Sequence, residues 1–269
     1  MPDLSGKVTF NATVYLAARS PDKAAAAIER LRRETNKSAI FIQLDLVDLR
    51  SVLKAAEAFL AQEAKLDILF NNGYSSQIDS EFGTNVIGHF FLTELLIPAL
   101  AKSYEETGVR ARIINTSSSG HQFAPGDGME FVSLQGGPER DAWVKKGGGF
   151  RSRWRLYGES KIGNIYISNY FAKKYADVLV SCALHPGGIK TELQRNSGAW
   201  MQAVGQALLY PAPMGAYTQL WGATIATPAE ITGQYLVPWG KVGKADKRAS
   251  DTKVQDAVIA YLKEQIKNF

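Results

Sequence analysis

The sequence has few of the residues that build disulfides and metal sites. Cys182 is its only cysteine, and histidine occurs three times in 269 residues. An intrachain disulfide is therefore impossible, and because the histidines have no spacing typical of a metal site, we predict no metal. No run of about 18 apolar residues occurs, and the N-terminus does not resemble a signal peptide. We expect a cytoplasmic protein without an integral membrane segment.

Charge and composition exclude further classes of protein. The chain has 31 basic and 26 acidic residues, which gives a net charge of +5. This excess favours anionic ligands but does not resemble that of a nucleic-acid-binding protein, so we predict no nucleic-acid partner. With 45% hydrophobic residues the chain can bury a core, and we expect a single domain over residues 1–269.

Short apolar runs alternate with longer segments of helical period. The predicted strands are Thr13–Leu16, Ser38–Leu44, Leu66–Phe70, Arg112–Thr116, Val178–Leu184 and Gln234–Val237. One predicted helix begins after the Ser20 N-cap, at Pro21. The other predicted helices are Leu49–Glu63, Asn85–Ala101, Tyr157–Tyr175 and Thr252–Lys267. A long glycine-rich loop is predicted before Tyr157. The alternation is typical of βα units and predicts an α/β fold, a single doubly wound parallel sheet with helices on both faces.

In such sheets, ligands bind outside the carboxyl ends of the strands. The residues that follow the predicted strands are polar or glycine-rich at most of these ends: Ala18-Arg-Ser20, Asp45-Leu46, Asn71-Asn-Gly73, Ser117-Ser-Ser119 and His185-Pro-Gly-Gly-Ile-Lys-Thr191. These residues are therefore the candidates for a ligand-binding site.

Together with Tyr157-x-x-x-Lys161, the strand ends resemble the classical short-chain dehydrogenases/reductases. The branch they resemble includes retinol dehydrogenases and many fungal oxidoreductases. The motifs that carry the resemblance occur in the family's order: Leu66-Asp-Ile-Leu-Phe-Asn-Asn-Gly73, Phe82-Gly-Thr-Asn-Val-Ile-Gly-His89, Ile113-Ile-Asn-Thr-Ser-Ser118, Leu156-Tyr-Gly-Glu-Ser-Lys161 and His185-Pro-Gly-Gly-Ile-Lys-Thr-Glu-Leu193. The resemblance implies a Rossmann-like oxidoreductase that interconverts a carbonyl and an alcohol.

Tyr157 and Lys161 are the predicted centre of the chemistry. Four residues apart on a helix, they share a face, and we expect the ammonium group to lower the pKa of the phenol so that Tyr157 exchanges a proton near neutral pH. A second pair with this spacing, Tyr170 and Lys174, lies thirteen residues further on. Because that pair would sit about 20 Å away along the helix, only one tyrosine can face the reacting atoms, and we choose Tyr157.

The resemblance also assigns roles around this pair. It implies that Lys161 binds the nicotinamide ribose, that Ser118 holds the substrate oxygen, and that Asn85 anchors a water linking Lys161 to solvent. Ser118 is chosen within its serine run because the family's serine stands three residues after the strand asparagine, here Asn115.

The predicted cofactor is NADP(H). Arg19 follows the predicted strand Thr13–Leu16 with no acidic residue beside it, and a basic residue at this place accepts a 2′-phosphate. By resemblance, Asp45 and Leu46 flank the adenine and Asn71 and Gly73 line the adenosine side. Ile189 and Thr191 would reach the carboxamide and the phosphates.

The predicted partner is a small-molecule carbonyl or alcohol substrate. The apolar segment 200–209 begins with Trp200 and Met201 and follows the Thr191 motif, where the family places its substrate-covering helix. This composition favours a hydrophobic substrate, although core packing explains it equally well. A homodimer is also compatible with the resemblance.

Two places depart from the family's pattern. Gly6-Lys-Val-Thr-Phe10 is followed at once by the first predicted strand, with no room for the glycine-rich cofactor loop or for the crossover of roughly a dozen residues that parallel strands need. A second segment is short after Gly73. The N-terminal βα unit is thus incomplete. One hypothesis is that segments of the family's cofactor groove are missing from this sequence, with about twenty residues missing before Asn11. The other is that the protein is a catalytically inactive relative that acts as a binding or scaffold protein.

Overall fold

The computed structural model describes residues 12–73, 75, 81–189 and 209–269. Its strands are β1 (Tyr15–Ala18), β2 (Ile40–Gln43), β3 (Ile68–Asn71), β4 (Ala111–Thr116), β5 (Leu179–Leu184), β6 (Tyr235–Val237) and β7 (Lys241–Gly243). Its α-helices are α1 (Pro21–Thr35), α2 (Leu49–Leu60), α3 (His89–Thr107), α4 (Pro138–Gly147), α5 (Gly149–Lys174), α6 (Gly215–Leu220), α7 (Pro228–Ile231) and α8 (Thr252–Ile266). Every strand predicted from the sequence is present, with ends that differ by one or two residues in most cases.

The strands form two groups. β1 and β2 make a parallel pair, and β3, β4, β5, β6 and β7 follow one another in a second sheet that is parallel except for β7. A doubly wound sheet of order 3-2-1-4-5-6 would have one more strand between β1 and β3, and none lies there within the described residues. The predicted α/β fold with a mostly parallel sheet is confirmed, and the interruption falls where the sequence is short.

Apolar side chains pack on both faces of the larger sheet. On one face, Phe90, Ile113 and Phe171 belong to a fully buried cluster that α3, α5 and α8 cover. On the other face, Ile114, Cys182 and Leu184 pack under α7 and the turn before it. Helices on both faces bury β5 along its whole length, which explains why its sequence is almost uniformly apolar.

The interruption leaves apolar surface uncovered. Phe70 lies in β3, in the interior of the expected strand order, yet 41% of it is exposed. Leu69, the neighbour that points to the opposite face, packs with Tyr15 of β1 against the cluster formed by α2 and α3. The two groups of strands therefore share one apolar layer. On the other face of β3, Ile68 packs against the cluster that contains Ile114, whereas the described residues leave Phe70 largely uncovered.

The start of α5 corrects the sequence prediction. A glycine-rich loop was expected up to Tyr157, but α4 occupies part of this segment and α5 begins at Gly149, two turns before Tyr157. Gly148 separates the two helices because its φ of 74° is incompatible with a continuing helix. The arginines and aromatic residues after Gly149 are adequate helix formers, so helix resumes immediately.

One described helical stretch is apolar enough to cross a membrane by length and composition, residues Gly83–Thr107. In its most apolar window, 67% is buried inside the protein. Phe90, Leu96 and Leu100 on this stretch are core residues, so packing within the fold accounts for its apolar character.

Candidate active site

The end of β4 supplies the first part of the site. Ser117 is buried and donates from its hydroxyl to the carbonyl of Lys161, with an oxygen–oxygen distance of 2.7 Å. Ser118 caps the short 3₁₀ turn Ser119–Phe123, where its Oγ accepts a hydrogen bond of 3.0 Å from the amide of Gly120. This cap holds the Ser118 hydroxyl at the carboxyl edge of the sheet.

Tyr157 lies beside Ser118. The aromatic ring runs so close to Gly120 that a Cβ there would meet its Cε1 at 2.4 Å, and the same Cβ would lie 3.4 Å from the Oγ of Ser118. A glycine at position 120 is therefore required for this approach. Tyr170 instead packs against Phe90 and Phe171 in the core, so the structure brings Tyr157, and not Tyr170, to the candidate site.

The pKa of Tyr157 differs from the expectation. It is raised, mainly because burial disfavours the phenolate, while the neighbouring Ser118 hydroxyl opposes the shift. The Nζ of Lys161 lies 5.8 Å from the ring centroid of Tyr157 and 3.3 Å from the carbonyl oxygen of Thr116. The hydroxyl of Tyr157 therefore stays protonated at neutral pH.

Lys161 is buried, with 3% of its surface exposed. Burial lowers the pKa of its ammonium group to about 8, and the nearby carboxyl group of Glu81 limits that shift. A lysine with this pKa can hold or release a proton close to neutral pH.

Glu81 is a neighbour that the sequence analysis did not identify. It is 4% exposed, and burial raises its pKa to about 8, with Lys161 and Arg140 opposing the shift. The sequence pointed to Glu81 only through its spacing: it lies four residues before Asn85, so a helix would place both side chains on the same face. Two ionisable side chains thus share the interior next to Tyr157.

Asn85 lies in the middle of a π-helical turn, Gly83–Gly88, that precedes α3. Its amide nitrogen donates to the hydroxyl of Ser160 over 3.0 Å, and its Oδ1 accepts from the amide of Ser75 over 2.8 Å. Since α3 continues directly from this turn, Asn85 is inside a longer helical stretch and does not begin the helix as predicted. Wide turns of this kind often occur at functional sites.

Asn71 ties the ends of three strands together. Its Nδ2 donates to Asn115 of β4 and to Thr93 of α3, each over 3.0 Å, and Asn115 in turn donates to Ser181 of β5. The Oδ1 of Asn71 is buried and has no hydrogen-bond partner. A buried acceptor without a partner is costly, so this atom is available to a ligand donor.

Leu46 and Gly73 are brought together. A Cβ on Gly73 would lie 2.6 Å from the Cδ1 of Leu46, so a side chain at position 73 would displace the end of the Leu46 side chain. Asp45 is adjacent, where its backbone amide donates to Ser51 and its carboxylate accepts from the amide of Val47. The ends of β2 and β3 therefore meet as the resemblance implies.

The remaining predicted cofactor residues lie further out. Arg19 follows β1, is exposed and makes no ion pair within the described residues. Ile189 follows β5 and contacts the Cα region of Gly215, while the nearby carbonyl of Gly188 accepts a hydrogen bond of 2.8 Å from Tyr210. Thr191, and segment 200–208 with Trp200, lie outside the described residues.

His121 is a second residue that the sequence analysis did not assign. Its Nδ1 lies 2.6 Å from the carbonyl oxygen of Ser118, and its Nε2 accepts from the amide of Asp246 over 2.9 Å. It therefore connects the Ser118 turn to the C-terminal part of the sheet. Across residues 12–73, 75, 81–189 and 209–269, no group of three or more His, Cys, Asp or Glu side chains could hold a metal ion.

Comparisons with known proteins identify the class to which this site belongs. A family model described as short chain dehydrogenase matches residues 7–129. A short-chain dehydrogenase/reductase of Armillaria gallica is 38% identical over 299 residues, covering 100% of this chain and 93% of that protein. One from Phomopsis amygdali is 36% identical over 264 residues, covering 89% of this chain and 75% of that protein. The chain belongs to the short-chain dehydrogenase/reductase family of oxidoreductases.

Solved structures share the fold. The NADPH-bound carbonyl reductase from chicken fatty liver superposes with a TM-score of 0.61 and 19% identity, covering 87% of this chain and 88% of that chain. RhlG of Pseudomonas aeruginosa in complex with NADP gives a TM-score of 0.62 and 21% identity, covering 86% of both chains. At such identities the likeness concerns the fold alone.

The alignment with the Armillaria protein spans 299 positions, whereas this chain has 269 residues, so 30 positions of the alignment have no counterpart here.

Proposed function

We propose that this protein is an NADP(H)-dependent oxidoreductase that interconverts a carbonyl and an alcohol. The observation that carries the proposal is the adjacent pair of Tyr157 and Ser118 at the carboxyl edge of the sheet, with Lys161 buried beside it. A phenol, a hydroxyl and an ammonium group at one edge can manage the proton and the developing negative charge of such a reaction.

Tyr157 acts as the general acid and base. In the direction of carbonyl reduction, its hydroxyl gives a proton to the substrate oxygen and becomes a phenolate. In alcohol oxidation, the phenolate form takes that proton back. The raised pKa of Tyr157 keeps the proton in place for the first direction. Ser118 donates a hydrogen bond to the same oxygen while charge develops on it.

Lys161 and Asn85 support this exchange. The lowered pKa of Lys161, about 8, lets the side chain change its protonation state near neutral pH. Asn85 is held on both sides by Ser75 and Ser160, and Ser160 donates in turn to the carbonyl of Tyr157 over 2.9 Å. Asn85 therefore fixes the helical turn that carries Tyr157 and Lys161.

The residues present fit a bound nicotinamide cofactor at its two ends. Lys161 and Ile189 would hold the nicotinamide end. The Oδ1 of Asn71, which has no hydrogen-bond partner, and the close approach at Gly73 suit the adenosine side. Arg19 would accept the 2′-phosphate. When bound, the nicotinamide supplies or accepts the hydride. The two NADP(H)-bound structures described above support the choice of cofactor.

Cofactor binding and turnover test the proposal. The full chain is titrated with NADPH by isothermal calorimetry and then assayed for NADPH consumption with a panel of aldehydes and ketones. We expect saturable binding and turnover of hydrophobic carbonyl compounds. Absence of binding at millimolar NADPH would favour the inactive binding protein instead, an alternative that no comparison supports.

A further inference from the structure

An exposed row of aromatic side chains leads away from Tyr157. Phe150, Trp154 and Tyr157 lie four and three residues apart on α5, so they share one face of the helix. The ring centroids of Phe150 and Trp154 are 6.3 Å apart, and those of Trp154 and Tyr157 are 6.1 Å apart at an angle of 87°. Phe123 joins the row from the turn capped by Ser118, with its ring 5.3 Å from that of Trp154.

We propose that this row, Phe123, Trp154 and Phe150, binds an aromatic ring attached to the substrate carbonyl, so that the protein prefers aryl and fused-ring carbonyl compounds. The inference rests on the proposed function and specifies its substrate class. Two elements that carry the reacting groups also carry the row: Phe123 lies on the turn of Ser118, and Trp154 lies one helical turn before Tyr157.

Exposure sets these rings apart from the core. Phe150 is 72% exposed, Phe123 54% and Trp154 44%, whereas the core residues Phe90, Tyr166 and Phe171 are fully buried. Trp154 contacts the other two rings edge to face, an arrangement that aromatic groups prefer. A further ring can therefore extend an existing array of this geometry.

An aromatic ligand gains more from the row than a saturated one of equal size. Both bury apolar surface, but only an aromatic ring adds the quadrupole interaction with Trp154 and Phe123, which corresponds to about a tenfold change in affinity at its upper limit. We assign the bound ring to the substrate because the row adjoins Tyr157, so a ring that packs on Trp154 lies next to the proton donor. A second copy of the chain or another segment of it would have no such link to the reaction.

The test compares ketones that differ in their ring. The substrates are 2-acetylnaphthalene and its saturated counterpart 2-acetyldecalin, assayed with NADPH and also titrated by calorimetry without turnover. The variants are Trp154→Ala and Trp154→Phe, and Phe269→Ala serves as a control because Phe269 is a similarly exposed aromatic residue that packs on Phe91.

We expect Trp154→Ala to lose about tenfold in kcat/KM for 2-acetylnaphthalene, mostly through KM, with a smaller change for 2-acetyldecalin. Trp154→Phe should recover most of the loss, and Phe269→Ala should change neither substrate. Equal losses for both ketones would overturn the inference. Unchanged kinetics of Trp154→Ala would also overturn the inference. A lower melting temperature would then show that Trp154 packs on another part of the chain, and a changed oligomeric state would show that it contacts a second copy.

The calorimetric arm separates this inference from the proposed function. One outcome is that no ketone is turned over, while 2-acetylnaphthalene binds and Trp154→Ala weakens that binding. In this case the catalytic proposal is wrong and the inferred aromatic-binding surface is supported. If turnover occurs without preference for the aromatic ketone, the proposed function stands and the inference is wrong.

Discussion

The two ends of the predicted cofactor groove differ in how completely they are built. At the catalytic end, Tyr157, Lys161 and Asn85 lie among buried hydrogen bonds that connect β4, α5 and the π-helical turn. At the N-terminal end, Arg19 is exposed beside a two-stranded sheet, and the neighbouring face of Phe70 is uncovered. The proposed catalytic region is thus preorganised, whereas the proposed phosphate-binding region makes fewer contacts.

The largest effect is expected at the catalytic end. Tyr157→Phe removes the proton donor and should reduce turnover by about 100- to 10,000-fold while leaving NADPH binding nearly unchanged. Steady-state kinetics and calorimetry measure both quantities. Tyr170→Phe, on the same helix and with its own lysine four residues later, should retain activity. Wild-type turnover in Tyr157→Phe would refute the assignment.

Replacing a buried phenylalanine by alanine should lower the free energy of unfolding more at the catalytic end than at the N-terminal end. Phe171 is fully buried among Phe90, Tyr170 and Tyr175, so Phe171→Ala should cost about 3–5 kcal/mol in the free energy of unfolding. Phe59→Ala should cost less, because its partner Tyr15 belongs to the small sheet and is only partly buried. Urea denaturation measures the difference, and equal costs would show that both regions are built alike.

Glu81 should give the catalytic end a distinct pH dependence. Burial raises its pKa from 4.5 to about 8, so the folded state holds this proton more tightly than the unfolded chain does. Its contribution to stability is therefore present at low pH and is lost as the pH rises through that range. Glu81→Gln should remove this loss, at up to about 1.4 kcal/mol per pH unit.

Urea unfolding at about pH 5 and about pH 8 tests this prediction. Glu105→Gln is the matched control, since Glu105 lies exposed on α3. If both variants keep the wild-type difference between the two pH values, Glu81 does not titrate in this range.

The smallest effect is expected at the N-terminal end. If Arg19 binds the 2′-phosphate, Arg19→Ala should weaken NADPH binding by about 10- to 100-fold, the range for a charge-assisted hydrogen bond, without changing NADH binding. Arg30→Ala, an exposed arginine of α1, is the control. An equal loss for both cofactors would contradict a role in recognising the phosphate.

Particular elements show how far the sequence predicted the fold. The Ser20 N-cap before Pro21 begins α1 as expected, with the serine hydroxyl accepting from the amide of Lys23. Cap residues act locally, so a short stretch of sequence is sufficient to predict them. The start of α5 was missed because three consecutive glycines suggested a loop, whereas only Gly148 breaks the helix.

The site was predicted in part. Tyr157 and Ser118 were recognised by motif and lie together, but the raised pKa of Tyr157 was not foreseen, because burial and the position of Lys161 over the ring depend on packing. Glu81 and His121 were missed for the same reason. Their partners are distant in sequence: Lys161 lies on another helix, and Asp246 near the end of the chain.

The sequence by itself determined the alternation of strands and helices, the residues at the strand ends and the shortened N-terminal unit, because periodicity, caps and motifs are properties of neighbouring residues. Only the tertiary structure decided that the sheet is interrupted between β1 and β3, that Glu81 and Lys161 share one buried space, and that Trp154 leads from Tyr157 to the surface. These features arise when segments far apart in the chain pack together, and burial and contact then set the charge and the accessibility of each group.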